Sequence, residues 1–177
     1  MMKKLVSIIV LAFMLCNATA QKIIIKTVDK FTGDRILETS VVKINDPYVD
    51  FKIRCVNDSL FLQASLYNIR DVIEIDKNVS ISLLTRNGEI ITLTGSILNS
   101  NIKEKNNSIY WGAGISTGNT KKITNIDVQF QLPDDKLELL QESDITDIRI
   151  NICHKNIDHS TERITQKRLS KLFNLIQ

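Results

Sequence analysis

Gly114-Ile115-Ser116-Thr117-Gly118 matches the G-x-S-x-G nucleophile elbow, and acidic residues and then His154 and His159 follow it in the order such hydrolases use. The elbow works as a strand, a strained turn and a helix, which together lift the serine hydroxyl above a parallel sheet. Here Asn119-Thr120-Lys121-Lys122-Ile123 follows and heads toward a strand. The expected structure is therefore a Gly/Ser/Thr-rich loop, and a small secreted hydrolase built on Ser116 is the alternative. Gly112, Gly114 and Gly118 do not make the phosphate-binding G-x-G-x-x-G, because position 117 is Thr, and no Lys stands in a G-K-[ST] context. His154 and His159 could face each other across Lys155-Asn156 with Asp158 nearby, a conceivable zinc set. Neither a cysteine pair nor H-E-x-x-H supports it, so two solvated turn histidines are expected, with no metal and no cofactor. Tyr110 and Trp111 stand beside flexible glycines. They are the candidate binding residues for a glycan or a partner, against core packing at a strand end as the alternative. Asp134 and Asp135 resemble paired glycosidase carboxylates, but they sit at an expected helix start, where acids complement the free N–H groups.

The elements that must hold these residues begin with an expected leader. In residues 1–20, Lys3 and Lys4 precede an apolar run from Leu5 to Cys16, and Ala18-Thr19-Ala20 closes it with small residues. This is the order of a secretory signal peptide, cleaved before Gln21. The run is shorter than the roughly 20 apolar residues of a membrane span, so no stable span is expected. Acylation of Cys16 would call for a small residue directly before it, and Leu15 stands there. Lys plus Arg totals 23 and Asp plus Glu 20. Without the two leader lysines, 21 bases face 20 acids. That balance gives no broad attraction to nucleic acid.

Period-two patterning dominates the expected domain, residues 21–177, and indicates strands. Such segments run over 22–28, 35–44, 49–56, 59–67, 79–86, 89–94, 109–115, 124–132 and 147–153, with a short candidate at 72–75. Asn57-Asp58 and Asn87-Gly88 are expected hairpin turns, the second as a two-residue type I′ turn. The polar stretch 96–108 reads as a long mobile loop. Pro133-Asp134-Asp135 opens a short helix near 134–141 with Leu137 and Leu140 on its apolar stripe. Leu169, Leu172, Phe173 and Ile176 lie at i, i+3, i+4 and i+7 of a C-terminal amphipathic helix from about Thr165. Cys55 falls on the apolar side of its strand, whereas Cys153 shares the outward side with Arg149 and Asn151. Alternation therefore separates the two thiols, and both are expected free.

Many short strands, frequent turns and two short helices predict a mostly β fold, an antiparallel β-sandwich or partly open barrel, with α+β as the alternative. The stretches Val28-Asp29-Lys30-Phe31-Thr32-Gly33-Asp34 and Leu137 through Ile150 (LELLQESDITDIRI), with the leader and the many Ile and Asn residues, resemble the small exported β-rich proteins of Bacteroides-type bacteria, whose function is unknown. That resemblance implies O-glycosylation at Asp-Ser/Thr-apolar triplets, which Asp58-Ser59-Leu60 fits at Ser59. No convergent acid, base and nucleophile is visible. The expectation is a periplasmic or surface-located, non-catalytic binding or structural protein of the cell envelope, with a protein or glycan partner. An inhibitor or chaperone of secreted enzymes is a further alternative.

Overall fold

The computed structural model describes residues 21–45, 48–70, 79–111, 115–152 and 155–176, with the backbone alone for 45, 70, 103–111 and 115–122. The leader, the candidate strand 72–75, Gly112, Gly114, Cys153 and His154 lie outside the described residues. The strands are β1 (Ile23–Val28), β2 (Arg35–Thr39), β3 (Val42–Asn45), β4 (Tyr48–Val56), β5 (Ser59–Arg70), β6 (Val79–Thr85), β7 (Ile90–Trp111), β8 (Ile115–Gln131), β9 (Ile145–Ile152) and β10 (Lys155–Ser160). Helices α1 (Asp134–Glu142) and α2 (Arg163–Phe173) follow β8 and β10.

All ten strands join one antiparallel sheet in the order β1-β2-β4-β5-β8-β7-β6-β9-β10, with β3 beside β2 along the same edge of β4. The end strands β1 and β10 do not pair, so the sheet is not closed into a barrel. Alternation explains most of it. In β6 every second residue is buried, from Val79 through Ile81 and Leu83 to Thr85. In β8, Ile126, Val128 and Phe130 are buried while Asp127 and Gln129 lie on the other face. One face of the sheet thus carries the core.

The sheet must bend. Helix α2 packs on β3, β4 and β9. Five inter-strand steps separate β4 from β9, about 24 Å in a flat sheet at roughly 4.8 Å per step. An 11-residue helix is only about 16 Å long and 10–12 Å wide. It touches both halves because they curl toward one another around it. Leu169, Leu172 and Phe173 fill the enclosed space, and α1 adds Leu137 and Leu140. Gln141 of α1 ties the end of α2 by donating from Nε2 to the Phe173 and Ile176 carbonyls.

Three local expectations are corrected. The stretch 96–108 is not a loop but part of β7, paired with β8 as far as Trp111 opposite Ile115. The loop Arg86-Asn87-Gly88 is not a type I′ turn. Only Gly88 has positive φ, at 84°, while the Gly88 N–H donates to the Thr85 carbonyl and the Thr85 N–H to the Glu89 carbonyl. That is a three-residue connection whose last residue is left-handed, which glycine adopts without strain. The segment 35–44 is two strands interrupted at Ser40 and Val41. The Asn57-Asp58 turn forms as expected, with Asn57 at φ 56°.

The outward face is a polar ladder. Glu38 lies between Lys52 (2.9 Å) and Arg54 (3.3 Å), Gln63 donates to Gln129 (2.8 Å), and Ser65 donates to Asp127 (2.6 Å). Toward β10, Arg149 grips Asp158 through Nε (2.6 Å) and Nη2 (2.9 Å). These charge-assisted hydrogen bonds hold the Asp158 carboxyl below the usual aspartate value. NMR titration of Asp158 should show that depression, and Arg149→Met should raise the value back. Because the folded value is the lowered one, the pair stabilises the fold above the unfolded aspartate pKa. Its contribution is lost as pH falls through the folded value. The stability difference between the wild type and Arg149→Met should therefore shrink on acidification.

Candidate functional site

The residues expected to do chemistry are dispersed. Ser116 lies in β8 opposite Tyr110, and Trp111 lies opposite Ile115. They occupy the far end of a two-stranded ribbon. Among the described residues, β6 accompanies β7 only to Gly95, and β5 accompanies β8 only from Ile123 onward. Ser116 is thus in a strand rather than the expected loop, and that strand runs on to Gln131 without the helix an elbow needs. His159 is also not in a turn. It sits in β10 opposite Ile148, in the cross-strand row of Leu83 and Ile91. Nineteen residue steps along β7 lead from Ile91 to Tyr110, about 60 Å of extended chain at roughly 3.3 Å per step. The register therefore keeps His159 away from Ser116 and from the aromatic pair. Asp134 and Asp135 occupy the first turn of α1 as expected. Ser59 is exposed directly after the Asn57-Asp58 turn. No group of three metal-ligating side chains occurs among the described residues.

The most unusual surface is one the sequence reading did not single out, the edge strand β1. All six of its residues are exposed. They include Ile23 (41%), Ile24 (51%), Ile25 (38%) and Val28 (56%), and Phe31 in the following turn is wholly exposed. The Phe31 turn is itself well defined, since Asp29 Oδ1 accepts from the Phe31 and Thr32 N–H groups at 2.8 and 3.1 Å. The hydrogen-bond phase gives the edge its polarity. The Arg35 carbonyl accepts from the Asn57 N–H at 2.8 Å and so points away from β1. Its cross-strand partner Val28 therefore turns its own N–H and C=O away from β2, and alternation places Lys26 in the same phase. Natural sheets usually blunt such edges with charge, proline or a covering element. Here Lys26 is the sole charged residue of the strand.

A groove of about 410 Å³ runs beside this edge, lined by Lys26, Val28, Arg35, Leu37 and Cys55 among others. Lys26, Leu37, Cys55 and Leu60 are successive cross-strand partners. Cys55 continues the buried series Phe51 and Ile53, so the groove prolongs the core-facing side of the sheet past the packed core. Cys55 is half-buried at its floor, as a free thiol whose Sγ donates to the Asn57 carbonyl at 3.0 Å. Partial burial, reinforced by Asp58, raises its pKa. The thiol therefore stays protonated at neutral pH and serves as an apolar lining atom rather than a nucleophile. Among the described residues, the site offers outward-turned backbone donors and acceptors at Lys26 and Val28, a flanking apolar floor and exposed aliphatic side chains. It is built to pair with extended chain, and it brings no acid, base and nucleophile together. Comparison with protein-family models, with curated proteins and with solved structures finds no match to this chain.

Proposed function

We propose that this chain is an exported, non-catalytic binding module of the cell envelope whose partner is a protein that adds an extended segment to β1. The observation that carries the reading is the open apolar edge, with Val28 and Lys26 directing their peptide groups outward. Strand addition takes affinity from main-chain hydrogen bonds and specificity from alternate side chains seated in adjoining grooves. The groove floored by Leu37 and Cys55 supplies such a seat. The opposite edge, β10, is charged and polar and offers no equivalent. Export rests on the n-region, apolar run and small-residue cleavage pattern of residues 1–20. Tyr110 and Trp111, in the part of β7 paired with Ile115 and Ser116, are a second candidate contact for the same partner.

Site-specific photo-crosslinking in intact cells tests this reading. A crosslinker at Val28 should give an adduct of defined mass, and one at Asn156 on the opposite edge should give none. Lys26→Pro should abolish the Val28 adduct without unfolding the protein, because the lost N–H points away from β2 and proline is tolerated at such edge positions. The intact mass of the uncrosslinked protein should correspond to a chain starting at Gln21. Equal adducts from both edges would refute strand addition, and a cytoplasmic, unprocessed chain would refute export.

A further inference from the structure

A second concavity lies on the other side of the molecule, where the curled sheet leaves its two halves facing each other across α2. It measures about 300 Å³ and is lined by Lys43 and Ile44 of β3, His159 of β10, and Thr165 and Arg168 of α2, with Glu162 at the helix N-cap. Basic residues of three separate elements thus line one cleft, with exposed Lys43 standing at its β3 edge opposite Asp50. Among the described residues, neither Lys43 nor Arg168 takes part in an ion pair, whereas Lys52, Arg54, Arg35, Arg86, Lys136 and Arg149 all do. Arg168 and His159 are half-buried. A guanidinium withdrawn from water without an acid or acceptor loses hydration that nothing returns.

We propose that this cleft binds the oxyanion head, phosphate or carboxylate, of a small organic molecule. The Arg168 guanidinium supplies the planar fork that grips such a head with two parallel hydrogen bonds, and Lys43 supplies a point charge at the β3 edge of the cleft. Thr165 contributes a hydroxyl that is otherwise unengaged. The Ser160 hydroxyl is already committed to Asp147 at 2.5 Å and serves only as wall. Glu162 is the single carboxylate of the lining. It leaves the cleft cationic even with His159 neutral. The N–H groups of the first α2 turn add to that field, since Glu162 makes no side-chain cap. Ile44 is buried and Ile164 is 63% exposed at the rim, so the walls suit a short apolar or sugar-like body behind the head. The volume falls at the lower end of small-molecule pockets.

The test is NMR titration of the full processed chain at constant ionic strength, with inorganic phosphate in one arm and acetate in the other. Saturable shifts confined to His159, Thr165 and Arg168 are expected, and the tighter arm identifies the head group. Lys43→Met and Arg168→Met should each weaken binding about tenfold, which corresponds to about 1.4 kcal/mol. Arg168→Lys should fall between Arg168→Met and the wild type, because it keeps the charge and loses the fork. Lys30→Met, in the remote β1–β2 turn, should change nothing. Lys43 is exposed, so its replacement decides the matter even where an Arg168 variant fails to fold. Absence of saturation in both arms would overturn the proposal, as would equal shifts in Lys43→Met and the wild type.

Discussion

Phe173→Ala is expected to lower the unfolding free energy by about 3–5 kcal/mol. Phe173 is 1% exposed and sits in the last turn of α2, beside the fully buried Leu172. Its removal deletes a large apolar surface and leaves a void that the rigid sheet around it cannot close. The effect should exceed that of a comparable truncation on an ordinary surface helix, because α2 is the element that β3, β4 and β9 share. Against a typical total of about 5–15 kcal/mol, the loss removes a large part of the margin. Urea unfolding would check it, with the midpoint falling at an unchanged slope. A drop below about 1 kcal/mol would mean that α2 merely covers the sheet instead of joining its halves.

Gly95→Ala should be nearly as damaging, at the upper end of the roughly 1–3 kcal/mol typical of overpacking. Among the described residues, Gly95 is the last of β7 paired with β6, opposite Val79 on one side and Phe130 on the other. A methyl group there would meet the Gln129 carbonyl oxygen and lie 2.6 Å from Phe130 Cδ1. A backbone oxygen in the middle of a sheet cannot swing aside, so β7 and β8 would have to separate. Phe130 is itself completely buried. The penalty comes from contact and not from an unusual backbone angle, which separates this glycine from Gly88. Gly88→Ala meets open space and costs only the strain of its positive φ. A thermal melt of both variants would rank them, and a wild-type midpoint for Gly95→Ala would refute the β7–β8 register at this point.

Alternation was readable wherever one face of a strand is buried. Val79 to Thr85 and Thr124 to Leu132 show a strict sorting that only a half-buried strand requires, and both form as strands. The helix at Asp134 and the Leu169, Leu172 and Phe173 stripe followed in the same way from first-turn chemistry and the 3.6 period. Residues 96–108 escaped because, among the described residues, their part of β7 pairs with β8 alone. Residues 98–102 are exposed on both faces, so this part of the strand has no reason to alternate, and the Asn and Lys content of the stretch resembles that of a loop. The strand β1 was found, but its apolar residues suggest burial, and only the strand order shows it at an edge. His159, Lys43 and Arg168 line one cleft because the sheet curls, a long-range event with no local signature.

The unlike margins of the sheet also govern how copies of this chain could associate. Head-to-tail growth would set the aliphatic border of one molecule against Lys155, Asp158 and His159 of the next. That mismatch would desolvate charges without matching them, so an endless fibril is disfavoured. Self-association through like borders, related by a two-fold axis, closes on itself after two molecules. An otherwise hazardous sticky border is thereby kept compatible with high local concentration.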